Sequence, residues 1–458
     1  MATVKNRRQL IEKGSREHLR KARALILDSY ETALNSVEPA GLIKTKITLE
    51  KSILSVDSLR YDLRRFKRIY VVGGGKAGGA MAAALEKVMG DWITSGIVNV
   101  PKGKIPKTEN ITLNQASHPL PDQAGVEGTK QMLQIAEQAN EDDLVICLIS
   151  GGGSSLMPMP RDGITIKDKQ ELTEALLKSG AAIHEVNIVR KHLSGFKGGL
   201  LAKKAYPATV LNLIISDVVG DALGDIASGP TAPDFSTFSD AICVLKKYAI
   251  WDNAPFSVRS VLMQGEIGIL PETPKPNEVF FEKVQSSIIG NNRLACLAAC
   301  RFFESKGINA QLLAKPLEGE ARQVGAELAL KTREDVISRD SVERSVCFVA
   351  GGETTVAVKG KGVGGRNQEL TLATVIQLKG LEGFVFASLS TDGLDGPTDA
   401  AGALCDSDTL ALAEFLKLNP EQYLAENDSN TFFCKLKDLV FTGQTGTNVN
   451  DIAIMLIL

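Results

Sequence analysis

The sequence predicts an α/β protein built from two α/β domains, and three observations support this prediction. The chain has 458 residues, the length of about two or three ordinary domains. Short β-branched or apolar runs recur along it, and each ends in a cluster of Gly, Ser, Thr or Asp. A helical segment usually follows, an alternation that is typical of largely parallel sheets covered by helices on both faces. Because ligands bind beyond the carboxyl ends of such strands, we expect a polar ligand at that edge.

The elements can be placed in order along the chain. A first helix is predicted at residues 7–35, where apolar side chains recur at the helical period. The predicted strands then lie at residues 69–72, 144–149, 209–215, 287–289, 347–350, 384–389 and 439–441. Pro271, Pro274 and Pro276 cluster in a polar stretch, which is typical of a domain junction. We therefore predict an N-terminal domain of residues 1–270 and a C-terminal domain of residues 280–458.

Composition excludes several classes of protein. Lys and Arg number 52 against 54 Asp and Glu, and aromatic residues make up only 5 %, so we expect no nucleic-acid partner. No apolar run reaches the length of a membrane helix, so we expect no membrane partner. The seven scattered cysteines indicate reduced thiols, with Cys296 and Cys300 as a buried pair rather than a metal site. A cytoplasmic location is predicted, with mitochondrial import as the alternative.

A glycine-rich turn follows the first of these strands. Gly73, Gly75 and Gly78 satisfy the G-x-G-x-x-G pattern of dinucleotide-binding proteins, with Gly74 and Lys76 between them. The next predicted strand, residues 97–100, ends without an acidic residue for a ribose hydroxyl, which argues against a dinucleotide. A lysine inside the turn favours a terminal or transferring phosphoryl group. A tight turn with a solvated lysine is the structural alternative.

A second glycine loop follows the apolar run at residues 144–149. It is formed by Ser150, Gly151, Gly152, Gly153, Ser154 and Ser155. Backbone N–H groups in such a loop form a nest that suits an anion, so we predict phosphate or nucleotide binding there. A nucleophilic serine is disfavoured because the G-x-S-x-G pattern is absent.

Two polar stretches of the N-terminal half could hold a substrate or a metal ion. Arg190, Lys191 and Ser194 belong to a basic segment that could grip a carboxylate or a phosphate, or could be a solvated helix end. Asp217 and Asp221 follow the strand at residues 209–215, where carboxylates suit Mg²⁺ but also serve as helix caps.

In the C-terminal half, polar residues again follow the predicted strands. Glu353 and Thr354 follow one strand, and Asp392 follows another. Arg366 and Asn367 lie between a glycine-rich turn and a predicted helix, a suitable place for an arginine that stabilises phosphate. Contact of Asp392 with Mg²⁺ or ribose competes with a local turn role for the same side chain.

Taken in order, these motifs resemble those of the type-2 glycerate kinase family, whose C-terminal half is called the MOFRL domain. The resemblance covers nearly the whole chain through the stretches 71–77, 117–121, 150–155, 190–194, 216–221, 228–230, 351–355, 365–369, 391–400 and 442–451. It implies a Rossmann-like parallel sheet in the N-terminal domain and an active site in the cleft between two domains.

The same resemblance implies transfer of the γ-phosphoryl group of ATP to D-glycerate with Mg²⁺, giving 2-phosphoglycerate. Lys76 and Arg366 match the two cations important for catalysis in that family. Because they fall on different predicted domains, we expect domain closure to assemble the site. A homodimer is compatible with the sequence.

Two other functions remain open at this point. The literal G-x-G-x-x-G pattern would suit an NAD(P)-dependent hydroxypyruvate reductase. A non-catalytic protein that binds nucleotides or anions could use the same fold, although the intact Lys76 and Arg366 weigh against it.

Overall fold

The computed structural model describes residues 3–338 and 345–458, which fall into two compact units. The central unit is Pro39–Gly290. The terminal unit combines Met1–Glu38 with Asn291–Leu458, so the chain leaves it and later returns to it.

Helices and strands alternate along most of the described chain. The helices are α1 Arg7–Glu12, α2 Glu17–Ser36, α3 Pro39–Lys46, α4 Gly78–Met89, α5 Gln123–Gln138, α6 Gly153–Leu156, α7 Ile166–Lys178, α8 Ile183–His192, α9 Leu200–Ala205, α10 Phe238–Lys247, α11 Phe256–Glu266, α12 Asn292–Ser305, α13 Ala321–Ser338, α14 Arg366–Gln377, α15 Thr409–Phe415, α16 Pro420–Ala425 and α17 Ser429–Leu436. The strands are β1 Ile47–Glu50, β2 Ile53–Val56, β3 Leu59–Asp62, β4 Arg68–Gly74, β5 Ser95–Pro101, β6 Ile111–Ala116, β7 Asp143–Ser150, β8 Thr209–Ile215, β9 Val284–Gly290, β10 Asn309–Leu312, β11 Leu317–Glu320, β12 Val346–Thr355, β13 Phe384–Ser390, β14 Gly402–Asp406, β15 Leu439–Val440 and β16 Asp451–Ile457. Short 3₁₀ turns lie at Leu63–Arg65, Gly90–Trp92, Ile226–Ser228, Trp251–Asn253 and Val279–Lys283.

The central unit is organised around a six-stranded parallel sheet in the order β6, β5, β4, β7, β8, β9. Strand β7 is buried along its whole length, which explains its continuous apolar sequence. Strands β4 and β7 are neighbours although β5 and β6 lie between them in the sequence, so the strand order reverses there. Open α/β sheets bind ligands outside the carboxyl ends of the strands at such a reversal. The loops after β4 and β7 are the two glycine-rich loops of the central unit.

The terminal unit is organised around a mixed sheet in the order β10, β12, β16, β13, β14, β15, with β11 also paired to β12. Strand β16 is antiparallel to both of its neighbours, β12 and β13. These two strands therefore run in the same direction, and their carboxyl ends meet the start of β16. Asp451, the first residue of β16, is paired with Gly352 on one side and with Ser390 on the other.

The predicted fold class is confirmed, and the seven predicted strands are all present. Two details differ from the sequence prediction. The terminal sheet is mixed rather than largely parallel. The predicted first helix is divided into α1 and α2 near Gly14, where a Cβ would lie 2.9 Å from the backbone nitrogen of Arg20.

The compact units also differ from the predicted domains of residues 1–270 and 280–458. The N-terminal helices complete the terminal unit, since Tyr30 donates a hydrogen bond of 2.6 Å to the carbonyl oxygen of Ser390. The proline-rich segment lies inside the central unit, where Asp234 donates its backbone N–H to the carbonyl of Pro274 at 2.9 Å. Local composition cannot distinguish a proline-rich segment that packs on its own unit from a linker between two domains.

A buried ion-pair network fixes α2 in the terminal unit. Arg23 is 1 % exposed, and its guanidinium donates to Asp406 at 2.6 Å and to Asp438 at 2.9 Å. Removal of the cation would leave two buried carboxylates with much of their charge uncompensated.

We therefore expect Arg23→Met to lower the free energy of unfolding by about 3–5 kcal/mol. Denaturant titration of the full chain measures this change, with Arg20→Met as the matched control because Arg20 lies exposed on the same helix. A loss no larger in Arg23→Met than in Arg20→Met would contradict the role given to this network.

Two further expectations concern the chain as a whole. Within the described residues, no helix has both the length and the apolar character needed to cross a membrane. All seven cysteines are free, and Cys296 and Cys300 are buried as predicted.

Candidate active site

The first glycine turn of the central unit is held in place by the second glycine loop. The backbone N–H of Lys76 donates to the carbonyl of Gly151 at 2.8 Å, and that of Ala77 donates to the Ser150 hydroxyl at 3.1 Å. At Gly75 (φ +149°), a Cβ would lie 2.1 Å from this hydroxyl, so no larger residue fits the turn. Gly73 and Gly74 end β4, while Gly78 begins α4. Lys76 is thus positioned by its backbone at the edge where β4 and β7 end.

The second glycine loop carries polar groups that bond mainly within the unit. Ser155 donates its hydroxyl to the carbonyl of Gly152, and Ser154 shares a 2.6 Å hydrogen bond with Ser228. Gly152 has φ +79°, and a Cβ there would lie 2.9 Å from the imidazole of His118 and 3.2 Å from Cγ of Lys76. The loop therefore packs directly against the side chains of Lys76 and His118. Gly153 begins α6.

The predicted site residues in the basic segment at the end of α8 differ in burial and in hydrogen-bond partners. Lys191 is buried and forms an ion pair of 3.4 Å with Asp234. The Ser194 hydroxyl accepts the backbone N–H groups of Phe196 and Lys197, each at 3.1 Å, so it fixes the turn after α8. Lys191 and Ser194 thus each have a structural partner, whereas Arg190 is only partly buried, and the substrate contacts of all three stay predictions.

Two further cations lie near α8: Lys197, the third cation of the basic segment in the sequence, and Lys169, which was not selected from the sequence. Lys169 of α7 and Lys197 after α8 are 8 % and 2 % exposed. Lys197 donates its ammonium to the carbonyls of Ser154 at 2.9 Å and Ala227 at 3.5 Å. Lys169 could have been found from spacing, because with Leu172 and Leu176 it occupies one face of α7 at i, i+3 and i+7.

The loop after β8 carries Asp217 and Asp221, both partly exposed. Across residues 3–338 and 345–458, no three His, Cys, Asp or Glu side chains converge as ligands for a metal ion. Mg²⁺ bound through nucleotide phosphates needs only one or two protein carboxylates, so the donor set of this loop fits a phosphate-bound Mg²⁺ rather than a protein cage.

Arg366 is the central feature of the strand-end edge in the terminal unit. Its guanidinium donates Nε–H to Asp451 at 2.6 Å, Nη2–H to the other Asp451 oxygen at 3.1 Å and Nη1–H to Glu353 at 2.5 Å. An arginine has five N–H donors, so two have no partner among the described residues. Since 28 % of the Arg366 side chain is exposed to solvent, these donors are available to a ligand.

The charges around Arg366 favour its cationic form. Burial alone would lower the pKa of Arg366, but Asp451 and Glu353 outweigh burial and raise it. Burial raises the pKa of Asp451 to about 6, although Arg366 acts in the opposite direction. Above that pH Asp451 is ionised and holds the guanidinium in place.

The helix that begins at Arg366 is anchored by a residue outside the predicted set. Asp395 is 1 % exposed and accepts the backbone N–H groups of Asn367 at 3.0 Å and Gln368 at 2.9 Å. The side chain of Asn367 bonds to Asp395 and Ser388, so it supports the turn instead of facing outward. These bonds fix the direction in which α14 presents Arg366.

The other predicted residues of this edge have mixed surroundings. Thr354 is buried within β12, whereas Glu353 is exposed and contacts Arg366. Asp392 accepts hydrogen bonds from the Ser390 hydroxyl at 2.9 Å and the Leu394 backbone at 3.0 Å, the turn role that was the alternative to metal contact. Asp451, the residue that orients Arg366, was missed because it reads as the entry to an apolar strand.

A cavity of about 480 Å³ lies beside the carboxyl ends of β7 and β8, lined by residues that include Ile149, Ile214 and Phe281. Of the predicted site residues, Lys191 alone lines it. Its lining does not include Lys76, which the sequence predicts to be catalytic.

Comparison with known proteins places this arrangement in a family. Residues 25–263 match the family model "Domain of unknown function (DUF4147)", and residues 346–451 match the MOFRL family model. D-glycerate 2-kinase from Thermotoga maritima is 42 % identical over 85 % of this chain and 91 % of its own length. An Agrobacterium vitis protein with the provisional name hydroxypyruvate reductase is also 42 % identical, over 85 % of this chain and 87 % of its own.

A solved structure extends the likeness to three dimensions. The crystal structure of a glycerate kinase from Thermotoga maritima matches with a TM-score of 0.81 and 39 % identity, covering 95 % of this chain and 99 % of that one. The two family models, the curated relatives and this structure agree over most of the sequence. The chain therefore belongs to the glycerate 2-kinase family, in which a DUF4147 domain is followed by a MOFRL domain.

Proposed function

We propose that this protein is an ATP-dependent glycerate kinase that converts D-glycerate to 2-phosphoglycerate. The observation that carries the proposal is Arg366, held by two carboxylates with donors left over for a ligand. Family membership supports the same activity, since several relatives are named glycerate kinases. Phosphoryl transfer mainly requires positioning and neutralisation of charge, which this set of residues can supply.

In the proposed reaction, a hydroxyl oxygen of glycerate attacks the γ-phosphorus of ATP. The bond from that phosphorus to the β,γ-bridging oxygen breaks, and the hydroxyl proton passes to a carboxylate or to solvent. The guanidinium of Arg366 and the ammonium of Lys76 each offset charge that builds on the phosphoryl oxygens. The glycine loops of the central unit offer backbone N–H donors for phosphate.

Asp217 and Asp221 are the residues of the central unit that we propose for metal contact, with Asp392 in the terminal unit. Mg²⁺ bound with ATP would neutralise phosphate charge and fix the arrangement of the phosphates. One of these carboxylates could instead orient the attacking hydroxyl. Separate Asn substitutions, each assayed across a range of Mg²⁺ concentrations, distinguish the two roles because only loss of a metal ligand is offset by added Mg²⁺.

The regiochemistry is part of the proposal. A kinase acting at the 2-hydroxyl is supported by the name of the Thermotoga maritima relative. The 3-hydroxyl lies one carbon further along the same small acid, so only identification of the product decides between them.

We expect phosphorus NMR of the purified protein with Mg²⁺-ATP and D-glycerate to show 2-phosphoglycerate and ADP. The Lys76→Ala variant serves as the control for contaminating kinase activity. A 3-phosphoglycerate signal would retain the kinase and overturn the position of transfer. Absence of any phosphorylated acid from a folded protein would overturn the proposed function.

Hydroxypyruvate reduction is the second candidate, favoured by the provisional name of the Agrobacterium vitis relative. Strand β5 ends at Pro101 and is followed by Lys102, so its end offers no carboxylate for a ribose hydroxyl. Oxidation of NADH or NADPH by hydroxypyruvate, followed by absorbance, tests this activity directly on the same sample.

A further inference from the structure

We propose that Lys169, Arg190 and Lys197 form the site that binds the carboxylate of the hydroxy-acid substrate. The proposal deepens the function proposed above and rests on it. It assigns to the central unit a small-anion site built from side-chain cations, separate from the glycine loops that we propose for phosphate.

The first argument is the isolation of Lys169. Its side-chain nitrogen is shielded from solvent, and it has no hydrogen-bond partner in the described part of the chain. A buried ammonium group normally has a carboxylate or several acceptors, because an unpaired buried charge is costly. An anionic ligand would supply the missing partner.

The second argument is that the neighbouring cations repel Lys169 instead of compensating for it. Burial, followed by the charge of Arg190, lowers the pKa of Lys169 to about 7. Burial also lowers the pKa of Lys197 strongly, and Lys169 and Arg190 lower it further. No carboxylate of the described residues contributes to either shift. Three mutually repelling cations on α7, on α8 and in the loop after α8 are what an anion site requires.

The third argument is position. The ammonium of Lys197 donates to the carbonyl of Ser154 at 2.9 Å, and Gly152, two residues earlier, packs against Lys76. The cation cluster therefore borders the second glycine loop through Ser154. In a 2-hydroxy acid the carboxylate carbon is bonded directly to the carbon that carries the hydroxyl. A carboxylate on this cluster would thus leave the hydroxyl close to the loop proposed for phosphate.

The turn that completes the cluster is strained. Ala227 and Ser228 have φ values of +51° and +59°, a region that non-glycine residues rarely adopt. Ala227 contributes the second carbonyl to Lys197, and Ser228 bonds to Ser154. Strain of this kind persists where the surrounding structure imposes it and is common at ligand sites.

The occupant that fits best is a small carboxylate rather than the triphosphate of ATP. Lys169 and Lys197 are almost fully buried, so an anion that reaches both must be compact. Triphosphates are more often held by backbone N–H groups of glycine loops, which lie nearby at residues 151–153. The substrate class is therefore a short 2-hydroxy acid, recognised by its carboxylate.

The test is isothermal titration of the full chain with D-glycerate and, separately, with ADP. Lys169→Met removes the charge and retains the length of the side chain. We expect it to raise the Kd for D-glycerate by about 10–100-fold, the effect of one lost hydrogen bond to a charged group. The Kd for ADP should stay unchanged. The matched control is Lys167→Met, since Lys167 lies on the same helix with its side chain 80 % exposed.

Each outcome distinguishes this inference from the proposed function. An unchanged Kd for D-glycerate in Lys169→Met, with normal phosphorylation by the wild type, would overturn the inference alone. Loss of ADP affinity would assign the cluster to nucleotide phosphate and overturn the carboxylate assignment. No binding and no phosphorylation of glycerate by the wild type would overturn both.

Stability gives a readout that a structural lysine would not share. Removal of an unpaired buried cation relieves its desolvation, so Lys169→Met should raise the Tm of the ligand-free protein while it weakens binding. A lower Tm would indicate that Lys169 has a structural role and would count against the site.

The pH dependence of the Kd for D-glycerate is a second test, and it uses a second variant, Lys169→Arg. A bound carboxylate favours protonated Lys169, so binding takes up a proton above pH 7 and the Kd should rise with pH there, towards about tenfold per unit. The carboxyl group of the ligand itself titrates near pH 3.5 and does not contribute. Lys169→Arg stays charged and should reduce the pH dependence, with Lys197 as the remaining titratable cation of the cluster. A flat wild-type profile between pH 6 and pH 9 would contradict the role of Lys169.

Discussion

Replacement of Arg366 by alanine is expected to lower kcat for phosphoryl transfer by about 10³-fold or more. The guanidinium is fixed by Asp451 and Glu353 and retains two N–H donors, so it can meet charge that develops in the transition state without reorganising. The KM for glycerate should change far less, because ground-state binding does not depend on that charge. Steady-state kinetics with both substrates separate the two effects.

Two companion variants sharpen this prediction. Arg366→Lys keeps the charge but loses the planar fork that bonds to both oxygens of Asp451, so only a small part of kcat should return. Arg301→Ala is the matched control, because Arg301 lies exposed on α12 of the same unit. If Arg366→Ala turned over as fast as Arg301→Ala, the catalytic role of Arg366 would be wrong.

Lys76→Ala is expected to reduce kcat by about 10²–10³-fold, the usual effect of losing one electrostatic contact to the reacting group. The backbone of the turn should survive the change, because its hydrogen bonds to Gly151 and Ser150 use backbone N–H groups rather than the lysine side chain. A loss of activity with an unchanged circular dichroism spectrum and Tm would therefore reflect the missing ammonium group.

The control for Lys76 is Lys87→Ala, an exposed position on α4, the helix that this turn opens. A higher KM for ATP with an unchanged kcat would show that Lys76 binds the ground state and transition state equally well, and would refute the catalytic role. Lys76→Arg tests whether a cation alone is sufficient at this position.

Much of the fold could be predicted because the strands carry a strong local signal. The seven predicted strands are mostly apolar runs, and the parallel sheet of the central unit follows from their alternation with helices. Contacts between residues far apart in the sequence have no such local signal. Nothing local to α2 shows that Arg23 pairs with Asp406 and Asp438, which lie 383 and 415 residues later in the sequence.

In the candidate site, too, residues with a local sequence signal could be predicted and residues that depend on long-range contacts could not. Lys76 and Arg366 could be singled out because each cation lies at a glycine-rich turn and because the family resemblance implies that both are important for catalysis, and their roles stay predictions. Asp451 and Lys169 were not selected because each is one polar residue at the edge of an apolar or amphipathic segment, and Asp395 was not singled out from the other acidic residues of its glycine-rich loop. Their importance depends on what lies opposite them, namely the guanidinium of Arg366, the start of α14 and two other buried cations.

The position of β16 bears on the order in which the protein can be made. This strand, Asp451–Ile457, forms the middle of the terminal sheet and brings with it the carboxylate that holds Arg366. On the ribosome the central unit, Pro39–Gly290, is complete long before β16 has been synthesised. Domains generally fold as units during synthesis. The central unit can therefore form before the C-terminal residues that pack against α2 have been synthesised. A pause in translation before residue 451 would leave a chain with a folded sheet around Lys76 and an open seam between β12 and β13.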